Sequence, residues 1–299
     1  MQWSKRGLVL SPPMHLAWAR SHAALPMVEP IGGARAHVYF SARDDRSRAQ
    51  IGRATLDLDS PAAPDFEPEP VVRLGPAGSF DDSGVTGGCL VSAGETHHLY
   101  YSGWRLPGDV PFEFFIGCAV SRGGGNFEKV SAEPVLGRSA SDPYLTASPA
   151  ILIEGGVWRM WYVSGTGWTG KEPNYLIRYA ESMDGIEWRP TGRACIGYDR
   201  PGEHAIARPH IVKDGALYRM WYSHRGDSYR IGYAESNDGL EWRRLDAEAG
   251  IDVSAEGWDS QMVCYPWVGD FGGKRRMLYN GNAYGRTGIG QATLDDSRR

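Results

Sequence analysis

Met160-Trp161-Tyr162-Val163, followed by Ile177-Arg178-Tyr179-Ala180-Glu181-Ser182-Met183-Asp184-Gly185-Ile186-Glu187-Trp188-Arg189, returns one unit later. The second copy is Met220-Trp221-Tyr222-Ser223, then Ile231-Gly232-Tyr233-Ala234-Glu235-Ser236-Asn237-Asp238-Gly239-Leu240-Glu241-Trp242-Arg243. An internal repeat of this kind decides the fold before any other feature. Weaker copies keep the same order. Val38-Tyr39-Phe40-Ser41 precedes Ile51-Gly52-Arg53-Ala54, Leu99-Tyr100-Tyr101-Ser102 precedes Ile116-Gly117-Cys118-Ala119, and Met277-Leu278-Tyr279-Asn280 precedes Ile289-Gly290-Gln291-Ala292. The second residues of the first blocks, 39, 100, 161, 221 and 278, are 61, 61, 60 and 57 apart, so five units of about 60 residues fill the 299-residue chain.

Each unit reads as short aromatic and β-branched strands separated by Gly, Asp and Pro. Asp184-Gly185 and Asp238-Gly239 are hairpin-turn pairs. An earlier strand leads each unit in, as in Ala147-Ser148-Pro149-Ala150-Ile151-Leu152 and Ala207-Arg208-Pro209-His210-Ile211-Val212. Four antiparallel strands per unit, five times around an axis, predict an all-β, five-bladed β-propeller in a single domain, 1–299. Its blades would span about 15–60, 61–135, 136–198, 199–252, and 253–299 together with 1–12. The last unit lacks the Asp-Gly…Trp-x-Arg strand, and Trp3-Ser4-Lys5 echoes Trp188-Arg189 and Trp242-Arg243, so the N-terminal strand is expected to close the fifth blade and cover its edge.

Composition agrees: 39 Gly and 19 Pro make about one residue in five a chain breaker, which a helical bundle tolerates poorly. A net charge of −4 gives no basic footprint for nucleic acid. Cys89, Cys118, Cys195 and Cys264 form neither a disulfide framework nor a C-x-x-C zinc knuckle. No apolar run reaches the ~18 residues of a membrane span, and the N-terminus has no signal-peptide core. The expectation is a cytoplasmic protein with no cofactor, metal, nucleic-acid or membrane partner.

In a propeller the ends of the inner strands and the loops after the second strands meet at one mouth. Aligned on the inner-strand prolines, the units bring His22, Asp81, Asp82, Ser148, Arg208, Asp259 and Gln261 toward it from one side. Arg43, Trp104, Trp168, Arg225, Asn280 and Asn282 come from the other. His210 follows Pro209. Unlike groups at equivalent places suit one asymmetric site. Asp81 or Asp82 is the candidate acid/base, with turn capping as the alternative. Arg43, Arg208 and Arg225 suit an anion or hydroxyls, or inter-blade ion pairs to Asp44 and Asp227. Trp104 and Trp168 suit a sugar face or blade packing. The histidines lie in no local metal motif.

Five repeats of MWY…YAES-x-DG-x-x-W, with the inner-strand ASP and ARP elements, resemble the five-bladed propellers of glycoside hydrolase families 43, 32, 68 and 130. The chain is most similar to uncharacterised glycosidase-like proteins of bacterial sugar or polysaccharide gene clusters. The resemblance implies a carbohydrate-active, glycosidase-like hydrolase, or a phosphorylase, acting on a glycosidic bond or a small sugar-like, even anionic, metabolite. Cleavage would use two channel carboxyl groups. Residue by residue, however, the base position of family 43 falls on Leu25, the helper on Ser148 and the acid on Ala207. The expected partner is therefore a small carbohydrate, held either in a rearranged catalytic site or in a non-catalytic saccharide-binding propeller. A protein-binding scaffold is the third reading.

Overall fold

The computed structural model describes residues 1–108, 110–123 and 126–295. It opens with β1 (Trp3–Leu10), and four arrays follow, each of four strands in chain order. The first holds β2 (Ser21–Gly32), β3 (Arg35–Arg43), β4 (Ala49–Asp57) and β5 (Asp65–Phe66). The second holds β6 (Gly84–Ala93), β7 (Thr96–Arg105), β8 (Glu113–Arg122) and β9 (Glu128–Lys129). The third holds β10 (Thr146–Glu154), β11 (Val157–Thr169), β12 (Glu172–Ser182) and β13 (Arg189–Ile196). The fourth holds β14 (Ala205–Asp214), β15 (Leu217–Arg225), β16 (Tyr229–Ser236) and β17 (Arg243–Arg244). The last array is β18 (Cys264–Phe271), β19 (Lys274–Asn280) and β20 (Ile289–Leu294), with β1 antiparallel to β20, Trp3 opposite Leu294. Helical turns among the described residues are confined to Asp246–Glu248 and Asn282–Gly285. No helix among them is long and apolar enough to cross a membrane.

Strands within an array pair antiparallel, and neighbouring arrays are joined by single parallel bridges at Ala49–Gly84 and Tyr175–Ala205. The first strands touch in a closed circuit, β2–β6–β10–β14–β18 and back to β2. The repeated aromatic block lies in the second strands, and both sheet faces are covered there. Leu99-Tyr100-Tyr101, Met160-Trp161-Tyr162, Met220-Trp221-Tyr222 and Met277-Leu278-Tyr279 are all 0% exposed. A strand with an open face would leave alternate residues in water. Each large side chain withdrawn this way contributes about 1.5–3 kcal/mol.

The Asp-Gly turns are docking points between arrays. Asp184 Oδ1 accepts the Ile186 and Glu187 N–H groups, and Asp238 Oδ1 those of Leu240 and Glu241. The Gly185 carbonyl accepts the Tyr100 hydroxyl (2.6 Å) and the Gly239 carbonyl accepts Trp161 Nε1–H (2.7 Å), each from the preceding array. Gly185 and Gly239 have φ of 76° and 75°, and a Cβ would lie 2.7 Å from the Tyr100 hydroxyl or 2.9 Å from the Trp161 ring. Only glycine meets both demands.

Candidate functional site

Every first strand is bulged at the same place. Its pairing with the second strand skips between Ala24 and Met27, Gly87 and Cys89, Ala147 and Ala150, Ala207 and His210, and Cys264 and Trp267. Four bulged residues, Leu25, Ser148, Arg208 and Tyr265, precede a proline and have φ of 57°, 45°, 51° and 56°. The following proline ring disfavours the right-handed α region. The left-handed region costs a residue with a side chain about 1–2 kcal/mol. Hydrogen bonds between arrays offset that cost. Leu25 N–H donates to Asn280 Oδ1 (2.8 Å), Gly87 N–H to Ser41 Oγ (2.9 Å), Ser148 N–H to Ser102 Oγ (2.8 Å) and Tyr265 N–H to Ser223 Oγ (2.7 Å). The acceptors share one register position, opposite Ala24, Thr86, Ala207 and Cys264; in the third array that position is Val163, opposite Ala147. Ser102→Ala is expected to strand the Ser148 N–H and cost about 1–3 kcal/mol. Urea denaturation reads it, and an unchanged midpoint contradicts the capping role.

The bulges surround a cavity of about 200 Å³. Its wall draws on all five arrays: His22, Leu25, Ser41 and Arg43; Thr86, Ser102, Phe112 and Phe114; Leu145, Ala147, Ser148, Val163 and Tyr175; Ala207; and Tyr265 with Tyr284. Leu25, Ser148 and Ala207, where the family resemblance puts its carboxylates, therefore face one space. No Asp or Glu among the described residues lines it. Carboxylates beside lining residues in sequence are committed elsewhere. Asp44 pairs with Arg48 (2.7 Å), Glu113 with Arg105 and Arg138, and Glu172 with Arg225 (3.1 Å) and His204 (3.3 Å). A larger groove of about 850 Å³ lies at the seam of β1, β4, β5 and β20. Its Asp59 is held by Arg276 (2.8 Å) and Lys274 (3.1 Å), and it shares no residue with the bulges.

Of the residues expected from sequence, the cavity unites His22, Arg43 and Ser148. The others lie outside this lining. Asp81, 2% exposed, is not in the lining: it pairs with Lys129 Nζ (2.6 Å) and accepts the Tyr101 (3.0 Å) and Ser79 (2.8 Å) hydroxyls. Asp142 takes the Tyr162 hydroxyl (3.0 Å) and Asp259 that of Tyr279 (2.9 Å) with Lys5 (2.7 Å). In all three the Asp stands 20 residues before its Tyr, so Asp81 and Asp259 belong to one repeated structural pair. Asp82 caps its own turn through the Gly78 N–H and the Ser83 hydroxyl. Trp104 fills the space over Gly84, Trp168 meets Phe112 edge-on at 5.1 Å, and neither belongs to the lining.

Arg208, 2% exposed, lies outside the lining; its guanidinium reaches across to the carbonyls of Gly88 and Pro26 (2.8 Å for the latter), and no carboxylate among the described residues meets it. Arg225 is taken by Glu172 and the Tyr284 hydroxyl (3.0 Å). His210 Nε2–H donates to the Val268 carbonyl (2.6 Å). Gln261 and Asn282 brace one loop through the Gln261 N–H and Asn282 Oδ1 (2.8 Å), and Asn280 spans Leu25, Ala23 and Gly288. Sequence reading missed Ser41, Ser102, Tyr175 and Tyr265. The signal was present for the serines: the same small polar residue follows the aromatic block in three units.

Burial together with the positive charges of Arg43 and Arg286 lowers the His22 pKa to about 4, so its imidazole is neutral at pH 7. Burial first pushes Tyr175 up and Tyr229 and Tyr265 well up, so all three stay protonated phenols. The wall thus offers a neutral imidazole, hydroxyls from Ser41, Thr86, Ser102, Ser148, Tyr175, Tyr265 and Tyr284, aromatic faces and one guanidinium, a set suited to a small polyhydroxylated molecule.

No protein-family model matches the sequence. The uncharacterised protein Rv1502 of Mycobacterium tuberculosis (strain H37Rv) is 45% identical over 300 residues, covering 99% of this chain and 100% of that protein. Among solved structures, the BT0996–RGII complex superposes with a TM-score of 0.77 at 18% identity, over 99% of this protein and 92% of the other. A thermostable family-43 glycoside hydrolase does so with a TM-score of 0.68 at 18% identity, over 97% and 95%. The fold is that of the β-propeller glycoside hydrolases.

Proposed function

The chain belongs to the family of the mycobacterial protein Rv1502, and from that premise we propose that it is a carbohydrate-active, glycosidase-like protein whose bulge-lined cavity takes a small saccharide. In this reading the five arrays are the blades of one five-bladed propeller spanning residues 1–299, closed by β1. The observation that carries it is the convergence of Leu25, Ser148 and Ala207 on one cavity. The resemblance to family 43 puts catalytic carboxylates at these three positions, and here they hold an alkyl group, a hydroxyl and a methyl. Two carboxyl groups about 5–9.5 Å apart are what glycosidic cleavage ordinarily requires. The lining supports recognition of sugar hydroxyls instead, with Phe112 and Phe114 as apolar faces.

A second reading, turnover of a glycosidic bond in a rearranged site, draws on the glycoside-hydrolase neighbours. His22 is then the lining imidazole that is unprotonated at neutral pH, a weak base at a pKa of about 4. Calorimetric titration with a panel of monosaccharides and an aryl-glycoside screen separate the two. We expect at least one monosaccharide to bind and Thr86→Phe, which fills the cavity, to weaken it by at least 10-fold. Turnover abolished by His22→Gln would establish the second reading. Saccharide binding unaffected by Thr86→Phe would remove the cavity from both.

A further inference from the structure

We infer that the ligand of this cavity carries an anionic group, a carboxylate or a phosphate, and that Arg43 is the residue that selects it. The inference rests on the saccharide reading above and adds its charge. Arg43 ends β3 at the cavity wall, and no carboxylate among the described residues pairs with it. Its sequence neighbour Asp44 does not serve. That carboxylate accepts the Arg46 and Arg48 N–H groups (both 2.9 Å) and pairs with the Arg48 side chain. Arg286, after the turn that carries Tyr284, likewise has no side-chain partner among the described residues, and its charge together with that of Arg43 bears on His22. Arg225 contrasts with both: its terminal nitrogens bond Glu172 and the Tyr284 hydroxyl.

One unpaired cation, Arg43, stands in a wall without a carboxylate among the described residues, and the charge of Arg286 reaches His22 from outside that wall. The neutral His22 leaves their positive charge uncompensated. A neutral sugar offers the exposed Arg43 guanidinium only hydroxyl acceptors little better than the water it displaces, whereas a carboxylate or phosphate can take two of its N–H groups side by side in charge-assisted bonds. Repulsion points the same way. A hydrolase carboxylate at position 25, 148 or 207 would pair with Arg43 or repel an anionic ligand, and Leu25, Ser148 and Ala207 do neither.

The test is titration calorimetry of the intact protein with glucose, glucuronate, glucose 6-phosphate and inorganic phosphate, repeated on Arg43→Gln and Arg225→Gln. We expect glucuronate or glucose 6-phosphate to bind at least 10-fold tighter than glucose. Which of the two is tighter names the anion. Arg43→Gln is expected to bring the ratio to within twofold of one, and Arg225→Gln to leave it intact. Circular dichroism melting shows that the variants fold. Glucose binding as tightly as both anionic sugars, or a preference that survives Arg43→Gln, overturns the inference while leaving the saccharide reading standing. Inorganic phosphate binding lost in Arg43→Gln, with no sugar bound, keeps the anion site and overturns the saccharide reading. Absence of any binding overturns both.

Discussion

Asp81→Ala is expected to destabilise the protein by about 3 kcal/mol, as removal of one partner from a buried ion pair does, and to leave saccharide affinity within twofold of the wild type. The carboxylate is 2% exposed, and its oxygens are filled by Lys129, Tyr101 and Ser79. Without it the Lys129 ammonium, a quarter exposed, and the Tyr101 hydroxyl, on a fully buried side chain, face each other with no acceptor. Asp259→Ala, which unpairs Lys5 and Tyr279 in the same geometry, should behave alike. A melting temperature lowered by roughly 5–10 °C is the corresponding thermal reading. A variant as stable as the wild type that has lost ligand binding or turnover would instead return Asp81 to the site.

The second large effect is acid destabilisation centred on His210. Burial of its ring, and next the charge of Arg208, lower its pKa to about 3, against the opposing pull of the Val268 carbonyl. The unfolded chain takes up the proton near pH 6.5 and the folded chain resists it. Stability is therefore complete above about pH 6.5 and falls as the pH drops from there toward 3. At 1.36 kcal/mol per pH unit, the descent from 6.5 to 4.5 removes about 2 kcal/mol once partial exposure is allowed for. His22 adds a smaller loss because it is more open to water, and that loss ends near its folded pKa of about 4. Carboxylates held low by arginines, such as Asp214 beside Arg275, lose their contribution only below about pH 4. His210→Gln keeps an N–H for Val268 and removes the titration. Urea midpoints should then be flatter between pH 6.5 and 4.5 in the variant, and identical slopes would contradict the assignment.

The repeat made the strands legible because a buried aromatic block needs the same neighbours each time it occurs. Tyr100 and Trp161 both bond an Asp-Gly turn of the following array, so block and turn repeat together. The site was less legible for the same reason. Asp81 and Asp259 read as site groups because their cations, Lys129 and Lys5, come from strands distant in sequence. The spacing to Tyr101 and Tyr279 that they share with Asp142 and Tyr162 is the trace that marks them as structural. Arg208 read as a ligand clamp, since a cation before an inner-strand proline asks for an anion. Its carbonyl partners, Gly88 and Pro26, come from two other arrays, and main-chain acceptors leave no mark in a sequence. Leu25, Ser148 and Ala207 were placed by resemblance to a family, and the bulges explain why such positions converge: each lies at or next to a proline-locked residue on the closed circuit of first strands.

Crystals of the intact protein grown with saturating glucuronate address the cavity itself. Density for the sugar among Ser41, Ser102, Ser148 and Tyr265, with its carboxylate on Arg43, is the expected result. Sugar bound in the seam groove between Arg6 and Lys274, or a cavity that holds only water at full saturation, would contradict it.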